Sequence, residues 1–145
     1  MIRSADFLVL AESGVTAAGE AEWRSAVSRA YFAAHHRARQ FLSDLGFQLP
    51  PGDQAHAYLW LRLANCGDPQ VRLAGSDLNS LCRDRYQADH HLDITVTQPS
   101  ALLQVQCAAT IIRTLDAVAV PARAAIAEAI RNYERDVLHQ VTWQA

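Results

Sequence analysis

The run from Glu20 to Leu45 leaves this chain little choice of fold. Its apolar positions, Trp23, Val27, Ala30, Tyr31, Ala34, Ala38, Phe41, Leu42 and Leu45, recur every three or four residues. That is the period of an amphipathic helix, here about seven turns long at 3.6 residues per turn. Gly46 supplies a stop, and Pro50-Pro51-Gly52 cannot continue a helix. A helix of this length buries its stripe only against other elements, and the rest of the chain offers more helices.

Ser4 is a candidate N-cap for a first helix with Phe7, Leu8, Ala11 and Val15 inward, and a connection is expected at Thr16 to Gly19. A third helix is expected from about Asp53, its cap, to Asn65, with Tyr58, Leu59, Trp60, Leu61 and Leu63 supplying bulk. Asp68 caps and Pro69 opens a fourth that runs to about His91, anchored by Val71, Leu73, Leu78 and Leu81. Leu92 to Pro99 alternates like a strand but is isolated, so it reads as an extended loop. Ser100 is the expected cap of a fifth helix, and Pro121 opens a sixth whose stripe is Ile126, Ile130, Tyr133 and Val137. The tail from Thr142 to Ala145 is expected to be loose unless Trp143 docks on a partner. With no repeat or linker, the reading is all-α: one helical bundle of five to six helices over residues 1–145, its core at about 4–137.

Composition narrows the function classes. Half of the 145 residues are hydrophobic, yet no apolar run approaches the ~20 residues of a membrane span. Asp6 stands directly before the first apolar residues, unlike a signal peptide, so the expected location is cytoplasmic, with no membrane association. Cys66, Cys82 and Cys107 are odd in number and lack a Cys-x-x-Cys pair, which points away from disulfides and zinc and toward small buried residues. The net charge is −2, but all 13 basic residues are Arg, and Arg24, Arg29, Arg37 and Arg39 cluster with His35 and His36. Such a local basic face contacts phosphates even on an acidic protein.

Two constellations carry chemistry. The first is Arg83, Asp84, Arg85, Tyr86, Asp89, His90 and His91 near the end of the fourth helix. An imidazole moves protons near neutral pH, and a guanidinium grips phosphate oxygens. Arg83 and His90 are seven apart and share a helix face, whereas Arg85 and His90 are five apart, about 140° round an ideal helix. Arg85 and His90 therefore converge only if the helix ends near Asp89, or across a dimer interface. Spacing alone leaves open a solvated helix end, where cations offset the dipole and Asp84 and Asp89 are salt-bridge partners. The second constellation is Arg29, His36 and Arg39, read as a phosphate-binding face or as a polar stripe rimming the bundle. Helix two offers no carboxylate or thiol company for a metal there, and no cofactor motif occurs. Of the aromatic residues, all but Tyr86 read as core or interface, and His56 and His139 as isolated bystanders.

Ser28-Arg29-Ala30-Tyr31-Phe32-Ala33-Ala34-His35-His36 and Arg85-Tyr86-Gln87-Ala88-Asp89-His90 together resemble the HEPN superfamily, small helical "higher eukaryotes and prokaryotes nucleotide-binding" domains. The stretch from Ser28 is similar to the family's long helix two. The stretch from Arg85 is similar to its Arg-x-x-Ala-Asp-Tyr segment with His in place of Tyr, which gives the Arg, four-to-six residues, His signature of the ribonuclease members. The resemblance spans about Ala5 to Asp136 in helix order. It implies a homodimer that brings Arg85 and His90 from both subunits into one cleft. The implied activity is metal-independent RNA cleavage, with His in proton transfer and Arg on phosphate, leaving a cyclic phosphate and a free 5′ hydroxyl. Arg83 and His91 also fit the spacing, with Asp89 and Tyr86 in supporting places. Family toxins and defence effectors of this type are encoded beside a nucleotidyltransferase that restrains them by modifying a Tyr two places after the His; here that place is Leu92. Other members are non-catalytic and bind a partner protein or a nucleotide.

Overall fold

In the computed structural model, which describes residues 1–52 and 54–144, the chain is all-helical. Among these residues six α-helices follow in order: α1 (Ser4–Val15), α2 (Glu20–Asp44), α3 (Gln54–Ala64), α4 (Pro69–His90), α5 (Gln98–Asp116) and α6 (Val120–Tyr133). A single π-helical turn, Glu134–Leu138, extends α6. No single helix among the described residues is long and apolar enough to cross a membrane.

The bundle is built round α2, which packs against α1, α5 and α4, while α3 lies on α4. The reason is the size of its side chains. Ala26, Ala30, Ala33, Ala34 and Ala38 are all buried, interleaved with Val27, Tyr31, Phe41 and Leu42. Small residues admit neighbouring helices on several sides at once, and the larger ones fill the gaps at interior density. The same logic operates between α3 and α4 at Gly75, where an added Cβ would sit 2.5 Å from the Ala64 amide nitrogen.

Helix ends follow local chemistry. Asp68 Oδ1 accepts the Gln70 and Val71 amides at 3.0 and 3.1 Å, as its place before Pro69 predicts. At the end of α2, Gly46 takes φ +101°, its amide bonds Ser43, and the Phe47 amide reaches back to the Leu42 carbonyl. This is the Schellman arrangement, which needs a residue tolerant of the left-handed region. Two expected caps shift by a few residues. Arg3, not Ser4, precedes α1, with Asp6 Oδ2 accepting its amide at 2.8 Å. Thr97, not Ser100, caps α5, accepting the Ser100 amide at 3.3 Å. Asp53, the expected cap of α3, lies outside the described residues.

Two expectations at the C-terminal end fail. The stripe of α6 does not continue through Val137, which is exposed; the inward residue is Glu134, fully buried. Its carboxylate meets the buried Arg62, Nε to Oε2 2.7 Å, and also accepts the Thr142 amide at 3.0 Å. Arg62 itself lies over the Tyr58 ring at 3.5 Å. Nor is the tail loose. Trp143 Nε1 donates to the Leu45 carbonyl at 3.0 Å, and the Gln48 and Gln144 amides bond the Thr142 and Gly46 carbonyls. The tail is thus pinned on the α2–α3 connection by the chain's own backbone groups, with the Arg131 guanidinium 4.0 Å from the Trp143 ring.

Two stability outcomes follow from these contacts. Gly75→Ala overpacks a backbone neighbour and should cost at least about 1–3 kcal/mol, read as a lower urea midpoint. Glu134→Ala leaves the Arg62 charge buried without its carboxylate and should cost roughly 3–5 kcal/mol in the same measurement.

Candidate functional site

The seam between α2 and α4 holds two of the residues singled out by sequence, Arg85 and Asp89. On α4 the positions Val71, Ala74, Leu78, Leu81, Arg85 and Ala88 form one inward stripe at spacings of three and four. Arg85 is the charged member of that stripe. Its side chain is only 15 % exposed, with Nη1 3.5 Å from Asp89 Oδ2. The guanidinium carbon lies 5.4 Å from the Tyr31 ring centre and 5.5 Å from that of Phe32. Asp89 is shared, since Ser28 Oγ donates to its Oδ2 at 3.2 Å. The Arg85 Nε is buried and has no hydrogen-bond partner among the described residues.

Below Arg85 lies a polar cluster that sequence reasoning missed. The Tyr31 hydroxyl hydrogen-bonds His56 Nδ1 and lies 3.2 Å from His35 Nδ1. The His35 and His56 ring centres are 5.0 Å apart. His56 is therefore no bystander. It reaches the cluster from the first turns of α3, a juxtaposition that no period within one helix encodes. Burial pushes the Tyr31 hydroxyl well above its ordinary range, with Cys82 adding to the effect and Arg85 opposing it. Burial also holds His35 down to about 3, and His56, His36, Arg39 and Arg85 all act in the same direction. The His36 imidazole is lowered by burial and then by Arg39.

The outer face of α4 is different. Arg83, Tyr86 and His90 are all exposed, and His90 stacks on Tyr86 with ring centres 4.5 Å apart. His91 sits 5.7 Å from the same ring and follows the last helical residue. Because α4 stays helical through His90, Arg85 and His90 diverge by about 140° within one chain. Arg83, seven residues before His90, is the cation on its face, with Nη2 3.4 Å from Ser80 Oγ.

The four-arginine cluster of α2 divides. Arg24 turns to backbone carbonyls at the end of α4, and Arg37 Nε pairs with Asp116 Oδ1 at 2.6 Å. Arg29 remains exposed, and His36, also exposed, stacks near Phe7 with ring centres 5.3 Å apart. Arg39 is half-buried and donates to the Pro50 carbonyl at 3.4 Å. His36 and Arg39 line an open groove of about 730 Å³ with Arg3, Phe7 and Ser43. Among the described residues no group of three His, Cys, Asp or Glu is placed to hold a metal ion. His139 is exposed and takes φ +51° at the end of the π-helical turn. Compared with known protein families, with curated proteins and with solved structures, the chain matches none.

The His35 environment sets a pH dependence. Its folded value lies below its unfolded value of about 6.5, so the unfolded chain takes up a proton first as pH falls. Stability contributed by neutral His35 is complete above the unfolded value and lost progressively toward the folded one. The unfolding free energy from urea titration should drop between pH 7 and 5, by up to about 1.4 kcal/mol per pH unit from this group. In His35→Gln the slope over that window should be shallower; an unchanged slope would show that His35 is not its source.

Proposed function

We propose that this chain is a metal-independent endoribonuclease of the HEPN type, acting as a homodimer. The observation that carries the reading is His90: an imidazole exposed at the end of α4, its ring against that of Tyr86. It is open to solvent and to a second copy, as a general acid–base group must be. Arg85 supplies the cation. Its partial desolvation on the Tyr31 and Phe32 rings strengthens its pull on a phosphate that reaches it. The ribose 2′ hydroxyl loses its proton to one imidazole and attacks phosphorus. The 5′ oxygen leaves and is protonated by an imidazolium, giving a cyclic phosphate and a 5′ hydroxyl. The role suits a toxin or defence effector restrained by a nucleotidyltransferase-type partner.

A single subunit holds the two groups on different sides of α4, so the working pair combines His90 of one copy with Arg85 of the other. Arg29 and Arg39 extend the cationic surface along α2, His36 adds a hydrogen-bonding ring, and the three serve the RNA backbone away from the cut. The alternative reading, a non-catalytic bundle that binds a partner protein or nucleotide, is favoured by the pairing of Arg85 with Asp89. A guanidinium already paired and covered is a strut between α2 and α4.

The nuclease reading predicts that RNA is cut in the presence of chelator and that Arg85→Ala and His90→Ala are each inactive. Mixing those two inactive variants should restore about a quarter of wild-type activity, because half the dimers are mixed and each has one intact site. Failure of wild type to cut any RNA, or persistent cutting by both variants, removes the reading. A dead mixture with an inactive Arg83→Ala variant moves the phosphate role to Arg83 on the face of His90.

A further inference from the structure

Arg24 projects from α2 to the end of α4, with its side chain only 13 % exposed. Nη1 donates to the carbonyl oxygens of Ala88 and His91, at 3.0 and 3.2 Å. Nη2 donates to the Ile94 carbonyl and lies 3.3 Å from Glu20 Oε1. Glu20 Oε1 in turn accepts the Val96 amide at 2.6 Å. The acceptors are carbonyls at the end of α4 and in the turn after it, where no further helical amide is available. A planar guanidinium with five donors can serve three carbonyls at once, and its charge sits at the negative end of the α4 dipole. A simple i,i+4 surface ion pair with Glu20 would need none of the three carbonyl bonds.

These bonds bracket His90, which lies between Ala88 and His91. Its ring is exposed and lies against Tyr86, a neighbour on the same helix, so packing from other elements fixes it little. The position of the imidazole is inherited from the last turn of α4. The segment after that turn is exposed except for half-buried Val96, and its hydrogen bonds to α2 run through Arg24 and Glu20.

We propose that Arg24 is the positioning residue for His90: by gripping the carbonyls of Ala88, His91 and Ile94 it sets where the imidazole stands at the end of α4. The inference rests on the reading of His90 as the acid–base group. Arg24 bonds backbone carbonyls and Glu20, and acts on His90 through the helix end and the turn after it. Lys is a poor substitute, because a single ammonium on a flexible stem lacks the planar fork that spans three acceptors.

The test uses the full chain with Arg24→Gln and Arg24→Lys. Nuclear Overhauser contacts between the His90 and Tyr86 rings report position, with His139 as the internal control. RNA cleavage reports kcat and KM separately. In Arg24→Gln the ring contact and the amide protection of Ile94 and Val96 should be lost while His139 signals stay in place. The value of kcat should fall at least about tenfold with KM within about twofold, the pattern of a misplaced acid–base group. Arg24→Lys should show the same losses in weaker form, and it answers the question if the Gln variant does not fold. An intact His90–Tyr86 contact in a folded variant, or a displaced ring with wild-type kcat, overturns the proposal. If wild type itself leaves RNA intact while the ring contact still depends on Arg24, the nuclease reading falls and the hold of Arg24 on His90 stands.

Discussion

Close approach of helices to the alanine surface of α2 is the constraint on which the remaining architecture depends. Ala26, Ala30, Ala33, Ala34 and Ala38 are each almost wholly inaccessible, so α1, α4 and α5 can all rest on one helix. Burial on several sides leaves α2 a narrow exposed polar stripe, Ser25, Arg29, His36, Gln40 and Ser43. Polar residues of α2 off that stripe must then find partners in other helices or in the chain's own backbone. Much of the chemistry of this protein is a consequence of that requirement.

Two polar groupings of α2 meet the requirement in different ways, and a third, elsewhere, meets the same need. Arg24 meets it with carbonyls at the end of α4. Tyr31 and His35 meet it with each other and with His56 from α3. Outside α2, Arg62 of α3 and Glu134 after α6 form a buried ion pair completed by Thr142. A buried charge without a partner is heavily penalised, so each grouping fixes the mutual placement of elements distant in sequence. Glu134 and Thr142 hold the tail beneath α3, and Arg24 holds the exit of α4 beside α2.

Regular helices were legible wherever the period of apolar residues repeated, from Trp23 to Leu42 and again from Val71 to Leu81. Caps were legible where the capping chemistry is strong, as at Asp68-Pro69, and shifted where two hydroxyl residues compete, as at Thr97 and Ser100. The candidate site was legible only as a set of residue types. Spacing predicted that Arg83 shares the face of His90 and that Arg85 does not, and an unbroken α4 keeps it so. Spacing gave no sign that Arg85 lies on Tyr31 and Phe32, or that His56 joins His35. Those contacts join different helices, and their register depends on how the helices cross.

The sequence by itself determined an all-helical chain, the extent of its long second helix and which way most of each helix faces. Those properties follow from local period and propensity, which act within a few residues. Tertiary structure alone decided that Arg24, Arg37 and Arg62 turn inward to partners while Arg29 stays in water, and that the tail closes on its own chain. An arginine reads the same in sequence whether it meets solvent or a buried carboxylate. Its fate is set by the groups that packing brings within hydrogen-bond reach, and by the free-energy cost of leaving it without them.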